Sequence, residues 1–127
     1  MIADQNLRIQ PKLSPEEILM HKYSIDDFWG EVQRDVKNKD YIAFGLDSQL
    51  LVNNILELFL KLSGQFCPQP NEMKQTLRQL NKDFAQLVDD FYTTPKTEKK
   101  LVILSQLIRT IYKKSGGPLP DTWSLKD

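Results

Sequence analysis

This sequence of 127 residues contains one cysteine, one histidine and no excess of charge of either sign. Because Cys67 is alone, an internal disulfide is impossible, and with His21 as the single histidine the chain cannot form a Cys/His zinc site. Lysine plus arginine equals aspartate plus glutamate at 17 each, so no overall field draws the protein to nucleic acid or an anionic membrane. Arginine occurs only four times, with no basic strip interleaved with aromatics, which disfavours nucleic acid as a partner.

Long hydrophobic runs and enzyme motifs are also lacking. No apolar stretch approaches the ~20 residues that span a bilayer, and the first residues lack the pattern of a signal peptide. We therefore expect a cytoplasmic protein without a membrane partner. The sequence has no glycine-rich phosphate loop and no Gly-x-Ser-x-Gly motif. It predicts no catalytic residue, no metal ligand and no cofactor site in this chain.

What the sequence does contain is helical periodicity. Ser14-Pro15-Glu16-Glu17 is a capping-box pattern, which predicts a short helix to about His21. Ser24 with Asp27 repeats the pattern and predicts a first long helix that ends near Lys39. Apolar residues from Asp40 to Leu62 predict the most buried helix, with Gly64 as its left-handed cap.

Two further helices follow a connector rich in proline. Asn71 is the expected cap of a helix whose apolar residues alternate at spacings of four and three as far as Phe91. The last helix is expected to end at Gly116. The fold class is therefore all-α, an antiparallel up-and-down four-helix bundle with a short extra N-terminal helix. We expect a flexible arm over 1–13, one domain over 14–123, in which the segment 119–123 folds back over the bundle, and a tail over 124–127.

Two helix faces carry candidate binding residues. In the first long helix Trp29, Gln33 and Lys37 share a face and Arg34 adjoins it; an exposed indole beside an amide and cations could stack on a planar ligand. An ordinary core tryptophan is the alternative.

In the central helix Asp47 and Asn54 lie on a polar line with Glu57 and Lys61. Either this line is a solvated stripe, or Asp47 or Asn54 faces a cleft and orients a polar substrate.

The order of these features resembles a known module. Ser24-Ile-Asp-Asp-Phe-Trp29, a helix with a basic end, and Asp40-Tyr41 opening a long apolar helix are similar to the helical C-terminal domain of bacterial polymerase-beta-like nucleotidyltransferases. A heptad helix and a Pro-x-x-Trp tail complete the resemblance, which covers about residues 14–123. Aminoglycoside and lincosamide adenylyltransferases are familiar members.

The resemblance implies that catalysis and acceptor-substrate binding involve two different domains. In that family a catalytic palm with a Gly-Ser turn and an Asp-x-Asp motif binds magnesium and the nucleoside triphosphate. The helical domain supplies one wall of the acceptor-substrate cleft and often the dimer contacts. This sequence has neither Gly-Ser nor Asp-x-Asp, so adenylyl transfer by this chain alone is not expected. The expected partner is a palm domain or protein, and the chain is either a truncated domain or a stand-alone protein.

The same helical bundle has a second interpretation, as an interaction module. HEPN domains are helical proteins that pair with minimal nucleotidyltransferases, and their ribonucleases use an arginine followed by four spacer residues and a histidine. No histidine occupies that place after Arg34, Arg78 or Arg109. The alternative is therefore an HEPN-like interaction module that forms a homodimer without RNase activity.

Overall fold

The computed structural model describes residues 13–117, and this part of the chain is all-α, without strands. Its five helices are α1 (Pro15–Lys37), α2 (Tyr41–Leu62), α3 (Pro70–Leu80), α4 (Lys82–Thr93) and α5 (Thr97–Lys114). No helix in this range combines the length and the hydropathy that a membrane crossing requires. Three predicted segments lie outside the described residues. They are the arm at 1–13, apart from Leu13, the segment 119–123 expected to fold back over the bundle, and the tail 124–127.

The first helix differs from its prediction in being continuous. Its start is as expected: the Ser14 hydroxyl accepts a hydrogen bond from the Glu17 N–H at 3.1 Å, and the Glu17 carboxylate accepts one from the Ser14 N–H at 3.3 Å. The predicted stop near His21 and restart at Ser24 are wrong. No proline or glycine interrupts this stretch, and Lys22 and Ile25 are buried there, so packing carries the helix through.

α1 and α2 form a hairpin closed by a tight, hydrogen-bonded turn. Lys39 adopts a left-handed conformation with φ of 57°, which lets the Asp40 N–H donate to the carbonyl of Asp35 at 2.9 Å. Asp40 then caps α2 by accepting from the Ala43 N–H at 3.0 Å. The turn thus places the end of α1 beside the start of α2.

The end of α2 confirms the predicted glycine cap. Gly64 has φ of 71°, its N–H donates to Lys61, and the Gln65 N–H donates to Leu60 at 2.9 Å. This is the Schellman arrangement, in which a left-handed residue satisfies the last carbonyls of a helix. The helix itself supplies much of the core, including Leu51, Ile55, Leu58 and Phe59.

The single helix predicted from Asn71 to Phe91 is instead two helices. Asn81 has extended backbone angles, φ of −163° and ψ of 110°, and its side chain caps α4 by accepting from the Phe84 N–H at 3.0 Å. An asparagine competes well for such a position because its short amide can replace a helical carbonyl. α3 also begins two residues earlier than expected, at Pro70, so its cap is Gln69 and not Asn71.

Asn81→Ala should lower the free energy of unfolding by about 1 kcal/mol, since the α4 N–H groups lose their cap. Urea denaturation followed by circular dichroism measures the change. Asn71→Ala is the matched control, because Asn71 is exposed within α3; it should shift the midpoint little. Equal losses in both variants would contradict the capping role.

The helices pack around one hydrophobic core. α1 lies against α2, α3 against α4, α4 against α5, and α5 also contacts α2 and α1. The Phe59 and Phe84 rings stack with centroids 3.9 Å apart and planes 5° apart, which joins α2 to α4. The buried Lys22 ammonium donates to the Ser115 carbonyl at 3.0 Å, and the Tyr112 hydroxyl donates to the Lys22 carbonyl at 3.3 Å. These two bonds tie α1 to the end of α5.

Candidate functional site

Three carboxylates converge where α1 and α2 meet. Glu31 and Asp35 are four residues apart, so they lie on the same face of α1, and Asp47 reaches the same point from α2. One carboxylate oxygen of each residue lies within 4.8 Å of the other two. We call Glu31, Asp35 and Asp47 the acidic cluster.

Asp35 is the buried member of the acidic cluster. It is only 9% exposed, whereas Glu31 and Asp47 are half-buried. Its Oδ2 is buried and has no hydrogen-bond partner. Most buried carboxylate oxygens accept hydrogen bonds, because an unsatisfied one costs desolvation free energy. A proton or a cation bound at this site would therefore compensate the unsatisfied oxygen.

The electrostatics of the cluster follow from this crowding. The pKa of Asp35 is raised to about 6, first because its protonated form hydrogen-bonds to Asp47 and next because burial disfavours its charge. The negative charges of Asp47, Asp40 and Glu31 raise it further. Within residues 13–117, Arg34 forms an ion pair with Glu31 of the cluster at 3.3 Å, and the Arg34 side chain is well exposed. The cluster keeps a net negative charge.

The structure brings only Asp47 of the predicted site residues into the acidic cluster. Asn54 lies two turns further along α2, where its amide donates to the Leu50 carbonyl at 3.1 Å, and it lines a shallow depression with His21 and Ser24.

Trp29, Gln33, Arg34 and Lys37 all belong to α1. Trp29 is half-buried against the core, and Gln33, Arg34 and Lys37 are exposed.

Trp29 and the acidic cluster occupy different sides of α1. Glu31 follows Trp29 by two positions, roughly 200° around a helix of 3.6 residues per turn. Gln33 and Lys37 continue the Trp29 side at four-residue spacing. The predicted residues on α1 and those on α2 therefore do not form one compact site, and Arg34 is the residue that links the two sides through its pair with Glu31.

A second feature is a groove between α2, α3 and α4 with a volume of about 490 Å³. Its apolar walls include Leu56, Pro68, Met73, Leu77 and Val88. The Tyr92 hydroxyl donates to the side-chain Oε1 of Gln49 at 2.8 Å, and the side-chain Nε2 of Gln49 donates to Oδ1 of Asn53 at 2.8 Å.

A third feature is an exposed apolar row on the first half of α2. Ile42, Leu46 and Leu50, at four-residue spacing, are 80%, 65% and 45% exposed. We call these three residues the α2 apolar row. Apolar side chains aligned on one helix face without cover are typical of interaction surfaces rather than of scattered surface positions.

The surroundings of His21 favour the uncharged form of its imidazole. Its Nε2 lies 3.3 Å from the Lys61 ammonium, which is itself paired with Glu57 at 3.1 Å. Burial, followed by the charge of Lys61, lowers the pKa of His21, so the imidazole is neutral near pH 7. It lies in the middle of α1 rather than near a helix end.

Sequence reasoning missed Glu31 and Asp35. The available signal was their i, i+4 spacing on α1 with an acidic residue on the neighbouring helix, but such spacing is also common on solvated helix faces. The register of α1 against α2 decides that both point toward Asp47, and that register follows from core packing.

Comparison with known proteins adds no relative. No protein-family model, no curated protein and no solved structure matches this chain.

Proposed function

We propose that this chain is a non-catalytic helical domain of a nucleotidyltransferase system, which docks a catalytic palm domain through the α2 apolar row. In this proposal α3 and α4 together form one side of an antiparallel four-helix bundle. Magnesium and the nucleoside triphosphate bind to the palm. The helical domain contributes to the acceptor-substrate site through Trp29, Gln33, Arg34 and Lys37 on α1 and through Asp47 and Asn54 on α2.

The observation that carries the proposal is the exposure of the α2 apolar row. The row begins directly after Asp40-Tyr41, part of the pattern that resembles the nucleotidyltransferase helical domain, and Tyr41 is itself exposed. Leaving three large aliphatic side chains in water on one face costs free energy that a docked surface would recover, at ~25 cal/mol per Å² of apolar area.

The chemistry of the described residues agrees with a binding role. In residues 13–117 His21 contacts Lys61, the Cys67 thiol contacts the Pro68 carbonyl, and the Ser14 hydroxyl that bonds to Glu17 belongs to the cap of α1. Catalysis of nucleotidyl transfer needs phosphate ligands and metal positioned together, and the palm supplies them in this proposal.

Leu46→Asp should weaken the complex with a palm protein by about 10 to 100-fold, because burying a leucine side chain contributes roughly 1.5–3 kcal/mol. The partner for this test is any protein encoded beside this one that carries both a Gly-Ser turn and an Asp-x-Asp motif, and analytical ultracentrifugation of the mixture measures binding. Val102→Asp is the matched control, since Val102 is a 56% exposed aliphatic residue on α5.

The same experiment separates the homodimer alternative. If the chain alone sediments as a dimer that Leu46→Asp dissociates, the α2 apolar row is a self-interface and the HEPN-like reading replaces the palm. If the chain is a monomer and no neighbouring palm protein binds it, the proposed function is wrong.

A further inference from the structure

The acidic cluster has a property that the proposed function does not use. A binding domain could present Asp47 alone to a substrate, yet Glu31 and Asp35 converge on the same point. We propose that Glu31, Asp35 and Asp47 bind one hard divalent cation, of the class of Ca²⁺, Mn²⁺ and Mg²⁺. This site is independent of palm docking, because it lies within this chain and is formed by α1 and α2.

The geometry suits an oxygen-ligated cation. The three carboxylate oxygens lie within 4.8 Å of one another. Calcium binds oxygen at about 2.3–2.6 Å, so two ligands on opposite sides of the ion stand about 5 Å apart, and Mg²⁺ at about 2.0–2.1 Å brings them to about 4 Å. All three ligands are carboxylates. Hard cations bind carboxylate oxygens in preference to soft ligands such as thiolates.

The buried Oδ2 of Asp35, which has no hydrogen-bond partner, is a separate observation that points to a ligand. A side chain that is 9% exposed, with an Oδ2 that no donor reaches, is costly as a free carboxylate. A cation held between Asp35 and its two neighbours removes that cost, because it places positive charge beside the unpartnered Oδ2, whereas Arg34 pairs with Glu31. Glu31 and Asp47, being half-buried, leave the ion a route from solvent and room for water ligands.

The position of the cluster on α1 agrees with a bound cation. Glu31 and Asp35 lie in the last two turns of α1, which ends at Lys37, and the negative end of the helix dipole disfavours carboxylates there and favours positive charge. Asp40, in the turn between the helices, adds a further negative charge near Asp35. Arg34 is the cation paired with the cluster, and its guanidinium contacts Glu31 at the solvent side.

A shared proton is the competing occupant. One proton between Asp35 and Asp47 would satisfy that pair, but it would leave Glu31 without a partner inside the cluster. The two occupants differ in a simple way: a proton is displaced by raising the pH, whereas a metal ion binds more strongly when the carboxyl groups are deprotonated.

Metal titration of the whole chain tests the site. After treatment with chelator and its removal, the protein at pH 7.5 is titrated with CaCl₂, MnCl₂ or MgCl₂ alone, by calorimetry and thermal melting. At least one ion should raise the melting temperature by roughly 5 °C or more at about a hundred times its Kd. Asp35→Asn and Asp47→Asn should weaken binding of that ion by at least about tenfold, because each removes one charged ligand.

Asp83→Asn is the control, because Asp83 is an exposed acid on α4, which does not contact α1; it should bind the ion as the native chain does. Mn²⁺ localises the site, since its paramagnetism should broaden the amide signals around 31–35 and 47 before those of other acidic residues. No binding by any of the three ions, or broadening spread evenly over the surface acids, would overturn the proposal and leave the shared proton as the occupant.

Discussion

Asp35→Asn should raise the free energy of unfolding by about 1–2 kcal/mol at pH 8 in buffer containing a chelator. A pKa raised by about two units corresponds to roughly 3 kcal/mol at full effect, and solvent at the half-buried rim of the cluster reduces this value. Asparagine keeps the shape of the side chain, removes its buried charge and can donate a hydrogen bond to Asp47. Chemical denaturation of both proteins measures the difference.

The gain should depend on pH in a defined direction. The pKa of Asp35 is about 6 in the folded protein and ~3.9 in an unfolded chain, so the folded state holds this proton more tightly. The stability that Asp35 contributes through its proton is complete below about pH 4 and is lost as the pH rises through 6. The variant lacks this loss, so its advantage should be small at pH 4, grow between pH 4 and 6, and level off above pH 7.

The comparison between the two proteins removes the effects of all other titrating groups. Asp83→Asn serves again as the control, and it should change stability by at most a few tenths of a kcal/mol at every pH. A loss of stability in Asp35→Asn at pH 8 without metal would mean that the ionised carboxylate has a favourable partner, which contradicts the unsatisfied Oδ2.

Phe59→Ala should lower the free energy of unfolding by about 3–5 kcal/mol, the largest single effect expected for this protein. Phe59 is 1% exposed and stacks on Phe84, and the Lys114 ammonium lies 5.3 Å from its ring centroid. Removing the ring opens a cavity where α2 meets α4 and exposes the Phe84 face. Since small domains are stable by only about 5–15 kcal/mol, the variant should be close to unfolding at 37 °C.

Urea denaturation at low temperature measures this loss, with Phe66→Ala as the control. Phe66 is the same residue type, 45% exposed in the connector after α2, and its removal should cost less than about 1 kcal/mol. Phe59→Leu keeps an apolar side chain and should lie between the native chain and Phe59→Ala. Similar losses for Phe59→Ala and Phe66→Ala would contradict the packing of α2 against α4.

Local signals along the chain predicted the caps at Ser14 and Gly64 correctly, but they misplaced the cap of α3 at Asn71 and predicted the continuity of the helices poorly. The cap at Ser14 and the left-handed Gly64 were confirmed, and each depends on contacts within five residues along the chain. Ser24 matched the same pattern as Ser14, yet α1 runs through it, since burial of Lys22 and Ile25 outweighs a local capping preference. At Asn81 the opposite occurred: the apolar periodicity continued, but the chain broke there and capped α4.

The candidate site shows the same limit. Asp47 was selected from sequence as a residue that could face a cleft, and the structure places it against Glu31 and Asp35. Its two partners were not selected, because on α1 alone they are indistinguishable from solvated acids. Trp29 and Gln33 were grouped by their spacing, which fixed their common face but could not show that the acidic cluster lies on another side of α1.

By itself the sequence determined the all-α class and the positions of the apolar helix faces along the chain. It also determined the helix caps at Ser14 and Gly64 and the lack of a Cys/His metal site. These properties follow from short-range hydrogen bonding, helical periodicity and residue counts. Only the tertiary structure decided that α1 is continuous, that Asn81 divides α3 from α4, and that three carboxylates, the buried Asp35 among them, meet between α1 and α2. Those outcomes depend on how the helices bury their apolar faces against one another, and the sum of many contacts between distant residues sets that packing.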